Sequence, residues 1–582
     1  MQKRIILVIV LIALLIVFAF RTRKDAGNDK LKTISRQEAY KNKLMLQCSP
    51  DWTLLNSDSL ANGISILPGW GNYSWEIASS NDSARLYFQQ GINMYYAFHI
   101  IEAMASFKKA ASFDSTNAMI HWGQALAYGP NINDFAYSFT PEAFTASQKA
   151  LALSAGCSLK EKALIQAMSK RYTADSLISR DSLNSLYADA MQNAYSLFPG
   201  NADISTLYVD AMMLQHPWKY WKHNGEPQPW TGKLLEVLEK TLVHAPEHPG
   251  ANHYYIHAVE ASGNPQRALK SADRLAQLMP SVSHMVHMPS HIYIRSGLYD
   301  KGSKVNEMSI KGYSEYLALF PDVANNSPLY LIHNLHMQTA CAMMGSNYSY
   351  SSATAKACRN SFDTSFMSMP APLGCFIQYV YMTSVINDVR FGEWSTILNA
   401  APIPQQYIYA NTLSHWARGM SFARQHNTSS AKKELQALRQ NMHHPDMLVV
   451  MEPFNSPIAA AKVAESLLEG VVAEEENNLP AAIAFLKTAV NHESALIYDE
   501  PRDWILPVRP YLGAVLLKAG KFSEAGAVFK ADLKENPNNH WALKGLYESL
   551  VKQHRNKEAD AVKKQFNESS NMAEMKSLPV VY

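Results

Sequence analysis

Four histidines stand in two pairs of identical spacing. His253 and His257 are four residues apart, and so are His287 and His291. Residues four apart on a helix share a face, with Cβ atoms about 5–6 Å from each other. Each pair therefore offers two imidazoles in one direction. The second pair follows the first by 34 residues, and Gly263 and Gly297 keep the same step. Glu260 follows His257 by three and shares its face, while His284 precedes His287 by three. A further pair, His333 and His336, comes next, and its spacing to Gly345 puts it slightly out of register. Imidazoles on adjacent helices suit zinc, copper, iron or nickel, and an i,i+4 pair supplies two ligands from one rigid element. The expected set for one transition-metal ion is His253, His257, Glu260, His284, His287 and His291. A second reading stands beside it: the rings stack on Tyr254, Tyr255 and Tyr293, or hydrogen-bond a peptide. Pro289 sits inside the second pair, where it starts or kinks a helix.

Two other segments carry chemistry-bearing residues. Pro217-Trp218-Lys219-Tyr220-Trp221, followed by Asn224-Gly225-Glu226-Pro227, has too many turn formers for a helix. It reads as a loop with aromatic side chains, placed to cover a binding groove or to plug a gap between helices. Asp499 to Trp504, with Arg509, precedes a well-marked helix, and carboxylates there are expected to cap it. There is no GxSxG, Walker A, HExxH or GxGxxG sequence. Familiar hydrolase, NTPase and dinucleotide classes are thereby disfavoured.

The elements that must position these residues are helices. From about residue 81, apolar residues recur at helical spacing in stretches broken by Gly, Pro and Asn, without sustained alternation. The stretch Tyr511-Leu512-Gly513, Gly520, Ala525, Phe529 and Pro537 has the spacing of the tetratricopeptide repeat (TPR). Gly91, Ala103, Phe107 and Ala110 fall at the same mutual offsets, and Gly263, Ala268, Ala272, Leu275 and Pro280 fit the frame again. The sequence thus resembles the TPR family from roughly residue 82 to 565, with weaker stretches around 135–200 and 345–430. Four phrases, 129–133, 248–258, 287–293 and 499–504, look like the signature of a group of large bacterial TPR proteins. That resemblance implies the fold and a shared special site, and supplies no reaction. It also implies that the paired histidines occupy positions lining a concave groove. A partner protein or peptide in that groove would meet Tyr254, Tyr293, His333, His336, Trp218 and Trp221.

The N-terminus reads differently. Lys3 and Arg4 precede an apolar run from Ile5 to Phe20, and Arg21, Arg23 and Lys24 follow. Sixteen helical residues at about 1.5 Å each span roughly 24 Å, which snorkelling arginines can extend. No small-residue cleavage site follows, so an uncleaved single-pass anchor is expected, with the body outside the cytoplasm, as in a periplasm. The expected organisation is an anchor at 1–24, a polar tether and lead-in at 25–80, an all-α TPR solenoid at 81–570 and a tail at 571–582.

Composition agrees with a packed chain, because 47% of residues are hydrophobic. A formal charge of +3 over 582 residues gives no reason to expect nucleic acid. Five cysteines without a CxxC pair write neither a zinc ribbon nor a disulfide framework. Two functions compete: a membrane-anchored scaffold that binds a protein or peptide, and a metal-binding protein or metalloenzyme with its site at 253–291.

Overall fold

The structure, a computed structural model, describes residues 52, 55–134, 137, 140–223, 225–319, 328–451, 453–569 and 580–581. The expected anchor at 1–24 lies outside them. Among the described residues no helix is long and apolar enough to cross a membrane, and there is no strand beyond one isolated bridge between Trp221 and Pro227.

Helices follow one another as antiparallel hairpins, each packed on the next. Asp82–Tyr96 pairs with Ile100–Phe113, Pro249–Val259 with Leu269–Leu278, and Arg509–Lys518 with Phe522–Glu535. Asparagine starts many of them. The side chains of Asn81, Asn117, Asn201, Asn427 and Asn478 each accept a hydrogen bond from a backbone N–H of the first turn. This satisfies a donor that the helix cannot pair itself.

What fixes the hairpin geometry is a glycine on each side of an aromatic ring. A Cβ added to Gly91 or to Gly123 would come 2.6 Å from the Phe107 ring. At the other end of the chain, Phe529 stands in the same way between Gly513 and Gly545, at 2.4 and 2.2 Å. Each phenylalanine thus fills the slot left by the glycine of its own hairpin and by the glycine of the following one. Ala268, Ala272 and Leu275, the small and apolar residues of the middle frame, are fully buried.

The array curls back on itself, and this changes the picture of an open groove. Gly250 packs on the Tyr96 ring so tightly that a Cβ there would come 2.4 Å from it. Tyr299 donates to the Pro537 carbonyl at 2.8 Å, and the Asn538 amide donates to the Gly297 carbonyl at 3.2 Å. Tyr379 donates to the Arg502 carbonyl at 3.1 Å. Repeats from both ends therefore close over the inner face of the 249–295 hairpins. The lead-in joins this closure: Ser281 N–H donates to the Gly69 carbonyl at 3.1 Å, and Trp70 is buried.

Candidate metal centre

His253 and His257 lie on the Pro249–Val259 helix, which Pro249 opens with its φ preset and no N–H to satisfy. The second pair is split between two short helices, Ser283–His287 and Pro289–Arg295. Pro289 starts the second of these. Met288 nevertheless keeps helical angles (φ −49°, ψ −38°), so His287 and His291 stay on one face. All four rings are buried, as are Glu260 and His284, with at most 3% of the residue exposed.

The imidazoles gather in two sets of three. His253 Nε2 is 3.1 Å from the Nε2 of His257 and 3.1 Å from that of His284. His287 Nε2 is 2.7 Å from His291 Nε2, and the rings of both lie against His333, with centroids 4.6 and 5.6 Å away. In each set the ligand nitrogens fall within 4.8 Å of one another. At metal–nitrogen bonds near 2.0–2.1 Å, two ligands of a tetrahedral ion stand about 3.3 Å apart.

The other ring nitrogens face outward onto oxygens. His253 Nδ1 is 2.7 Å from the Tyr96 carbonyl oxygen, which can only accept. The Nδ1 proton is thereby fixed, and in the neutral ring Nε2 carries a bare lone pair. His287 Nδ1 meets Asn306 Oδ1 at 2.6 Å, and the Asn306 amide donates to the Gly302 carbonyl at 2.8 Å. That ring is fixed in the same tautomer. Glu260 reaches His257 Nδ1 with one oxygen at 3.1 Å and His291 Nδ1 with the other at 2.7 Å. At least one of those imidazoles donates outward, since a protonated carboxyl carries one hydrogen. Such outward bonds are the arrangement that orients metal-ligating histidines.

Burial decides the protonation of the rings. It draws His253, His284, His287 and His291 well below the ordinary histidine range, helped by the neighbouring imidazoles. His257 falls to about 3 through burial, and His333 to about 4 through burial and His257. Burial pushes Glu260 upward, with Arg295 opposing and Asp499 adding to the rise. Neutral rings are the state that binds a metal.

Glu500 is the residue that sequence reasoning missed. It touches His291 Nδ1, and with Glu260 it forms a third possible ligand group around that ring. The 499–504 segment does not cap the next helix, since Arg509–Lys518 starts at Val508 without a side-chain cap bond. Its carboxylates turn inward instead: burial pushes Asp499 upward, aided by Asp503. The signal available was the phrase Asp-Glu-Pro-Arg-Asp-Trp itself. Phe98 also carried no signal, yet its ring lies 4.6 Å from His253 and stacks on His257 and His284 at 5.8 and 5.9 Å.

The residues expected to meet a partner divide. Tyr254 is 1% exposed, between Tyr96 and Phe98, so it lines no open groove. Tyr293 is buried as well, its hydroxyl donating to Asp273 at 2.6 Å. His336 is buried apart from the site, 3.0 Å from the Thr383 hydroxyl. His333 joins the second histidine set. Trp218 and Trp221 do reach a binding space. Their indole N–H groups donate to the carbonyls of Ile132 and Ala258, at 3.0 and 2.7 Å. With His257, Glu260, Arg295 and Tyr498 they line a cavity of about 700 Å³.

Several solved structures are similar to this chain at low identity. The human IFIT1 dimer with m7Gppp-AAAA is 13% identical, covering 89% of this chain and 94% of its own, with a TM-score of 0.29. Yeast Tom70 is 10% identical, covering 84% and 93%, with a TM-score of 0.27. The TPR domain of P58(IPK) is 10% identical, covering 81% and 99%, with a TM-score of 0.21. No protein-family model matches the chain, and no curated protein does. At such scores these likenesses carry no argument about what the chain does. The glycine–phenylalanine–glycine slots at both ends, in register with the sequence repeats, are the packing expected of tetratricopeptide-type hairpins. The fold is a solenoid of TPR-type helical hairpins. In this array the inner face of the middle repeats holds histidines and carboxylates where a partner was expected.

Proposed function

We propose that this is a metal-binding TPR protein, with a transition-metal ion held by His253, His257 and His284 beside a cavity that admits a small molecule. One observation carries the reading: three buried Nε2 atoms converge, and in His253 the outward bond to the Tyr96 carbonyl leaves Nε2 as a bare lone pair. Lone pairs facing one another in a dry interior repel unless a proton or a cation lies between them. His284 Nδ1 is buried with no hydrogen-bond partner, so one proton on that ring cannot satisfy both of its nitrogens. Zinc, copper or iron supplies Lewis-acid chemistry at such ligands, and zinc and copper fit an all-imidazole set well. Glu260 orients His257, and Trp218, edge-on to His257 at 5.2 Å, lines the cavity beside it. The test is elemental analysis after exhaustive dialysis, beside a His253→Ala, His257→Ala variant. The wild-type chain is expected to retain zinc or copper that the variant loses. Equal metal in both ends the reading.

The cavity also supports a second reading, in which a protein or peptide partner inserts an apolar side chain between Trp218, Trp221 and Trp230. Photocrosslinking from position 221 or 230 is then expected to capture that partner. Capture that persists when Trp218 and Trp221 are both alanine places the contact elsewhere. The apolar run Ile5–Phe20 completes the proposal as a single membrane anchor, with the repeats outside the cytoplasm. The full chain should then stay with membranes through carbonate extraction. Recovery of a soluble mature chain starting after residue 20 overturns that part.

A further inference from the structure

We infer that the centre holds two transition-metal ions, the second bound by His287, His291 and His333 with the Glu500 carboxylate beside it. The inference deepens the metal reading and rests on it for the first ion, while the second set stands on its own geometry.

The donor count comes first. Six imidazoles are gathered in one region as two separate sets of three, with the Glu260 and Glu500 carboxylates on outward ring nitrogens. A tetrahedral ion takes four ligands, so six imidazoles exceed what a single such ion uses. Two ions, each with three imidazoles, account for all six, and the carboxylates orient the rings and balance charge from the outward side.

The second set is built as carefully as the first. His287 Nδ1 is held by Asn306 Oδ1, and the Asn306 amide is itself fixed by the Gly302 carbonyl. The His287 Nε2 lone pair therefore points at His291, with 2.7 Å between the two Nε2 atoms. His333 completes the set from another helix, Pro328–Met344, with its ring nearly perpendicular to both others at 68° and 66°. A third element, the 499–504 segment, brings Glu500 against His291. Two separate parts of the chain thus supply the ligand nitrogens and a third supplies a carboxylate to the outward side of His291, far more specific than a spacing within one helix.

Charge gives the second argument. Two buried divalent ions need anionic partners, because an isolated ion in the interior costs several kcal/mol or more. Glu260 spans both sets, one oxygen on His257 and the other on His291. Glu500 stands on the second set alone. The neighbouring Asp499 and Asp503 are half-buried, and Asp503 accepts from the Asn455 amide at 2.8 Å. Carboxylates are rarely buried together without a cation to balance them.

The experiment uses the full chain in detergent, stripped with chelator and reloaded with cobalt(II) alone. Ions per chain are read by elemental analysis, and the ligand-field spectrum is followed during titration. Two ions per chain are expected in the wild type, in two spectrally distinct phases. His333→Asn, at a partly exposed position, is expected to bind one ion and to lose the second phase, with helicity by circular dichroism unchanged. His253→Ala is expected to keep the second phase and lose the first. One ion in the wild type, lost on His253→Ala and unaffected by His333→Asn, overturns the second site and leaves the first reading intact. One ion lost in both variants means a single shared ion and also overturns the inference. No stoichiometric ion in the wild type overturns both readings together.

Discussion

The hairpin at 509–552 and the hairpins at 249–295 share one frame and bury opposite things. In the first, Tyr511, Leu516, Ala525 and Phe529 fill the interior, and the Phe529 ring seats on Gly513 and Gly545. Apolar burial of this kind stabilises by itself, at about 25 cal/mol per Å² removed from water. In the second, Ala268, Ala272 and Leu275 keep the packed side, while the inner face buries five histidines and Glu260. Those groups lose hydration on burial and regain it only through partners. Glu260 and Asn306 supply partners from within these repeats, while Tyr96, His333 and Glu500 come from other hairpins. A regular repeat is self-sufficient, whereas the histidine repeats depend on the whole superhelix closing around them.

Phe529→Ala tests the self-sufficient region and has the largest expected effect. Removing a fully buried ring between two glycines leaves a cavity, with a loss of about 3–5 kcal/mol. Urea denaturation measures it. Metal bound per folded chain should not change, and a matching fall in metal content would show that the two regions are not separable.

Metal itself tests the dependent region. At an ion concentration one hundred times its Kd, the wild type should gain about 2.7 kcal/mol, and a His257→Ala, His291→Ala variant none. The same rings give a pH dependence in the stripped chain. Their folded values are depressed, to about 3 for His257 and about 4 for His333. The unfolded chain takes up protons below about 6.5 that the buried rings refuse. Stability should therefore be full above that point and fall as pH drops toward 4. Melting temperature against pH checks this, and a flat profile between pH 7 and 4 contradicts it. Bound metal should accordingly survive below the pH at which a free imidazole would release it, and leave as the chain unfolds.

The local part of this design is legible in sequence. The glycine–phenylalanine offsets give the hairpins, and the 34-residue step gives the pairing of His253, His257, His287 and His291. What sequence hides is the closure. Glu500 precedes a helix, where a carboxylate ordinarily caps, and only the curl of the superhelix turns it onto His291. His333 looks out of register because register is counted along the chain, while its ring meets the others across two helices. Tyr254 looks like a groove residue for the same reason, since Tyr96 and Phe98, which cover it, lie far along the chain, whereas Tyr293 is enclosed from close by, with Asp273 and Lys301 against it.

Closure can be probed at two glycines one period apart. Gly297 has φ +69°, and a Cβ there would come 2.2 Å from the Pro537 carbonyl oxygen. Gly297→Ala should cost about 1–3 kcal/mol, through the left-handed backbone and the displaced carbonyl. Gly263 lies outside the left-handed region and has nothing within 4 Å of an added Cβ. Gly263→Ala should be neutral or stabilise by up to about 1 kcal/mol. Equal effects at the two positions would mean that the contact between Gly297 and the C-terminal repeats contributes nothing to closure.

The smallest effect comes from two tyrosines that look alike in sequence. Tyr293 donates to Asp273 at 2.6 Å, so Tyr293→Phe removes a made hydrogen bond, worth about 1 kcal/mol. The Tyr254 hydroxyl is buried among Tyr96 and Phe98 with no hydrogen-bond partner. A buried unpaired hydroxyl has lost its water without compensation, so Tyr254→Phe should be neutral or stabilise by up to about 1 kcal/mol. Neither change removes a metal donor, and both keep the ring that fills the space. The two variants should therefore shift the denaturation midpoint in opposite directions at constant metal content. A loss from Tyr254→Phe as large as that from Tyr293→Phe would mean that the Tyr254 hydroxyl has a partner, such as an enclosed water.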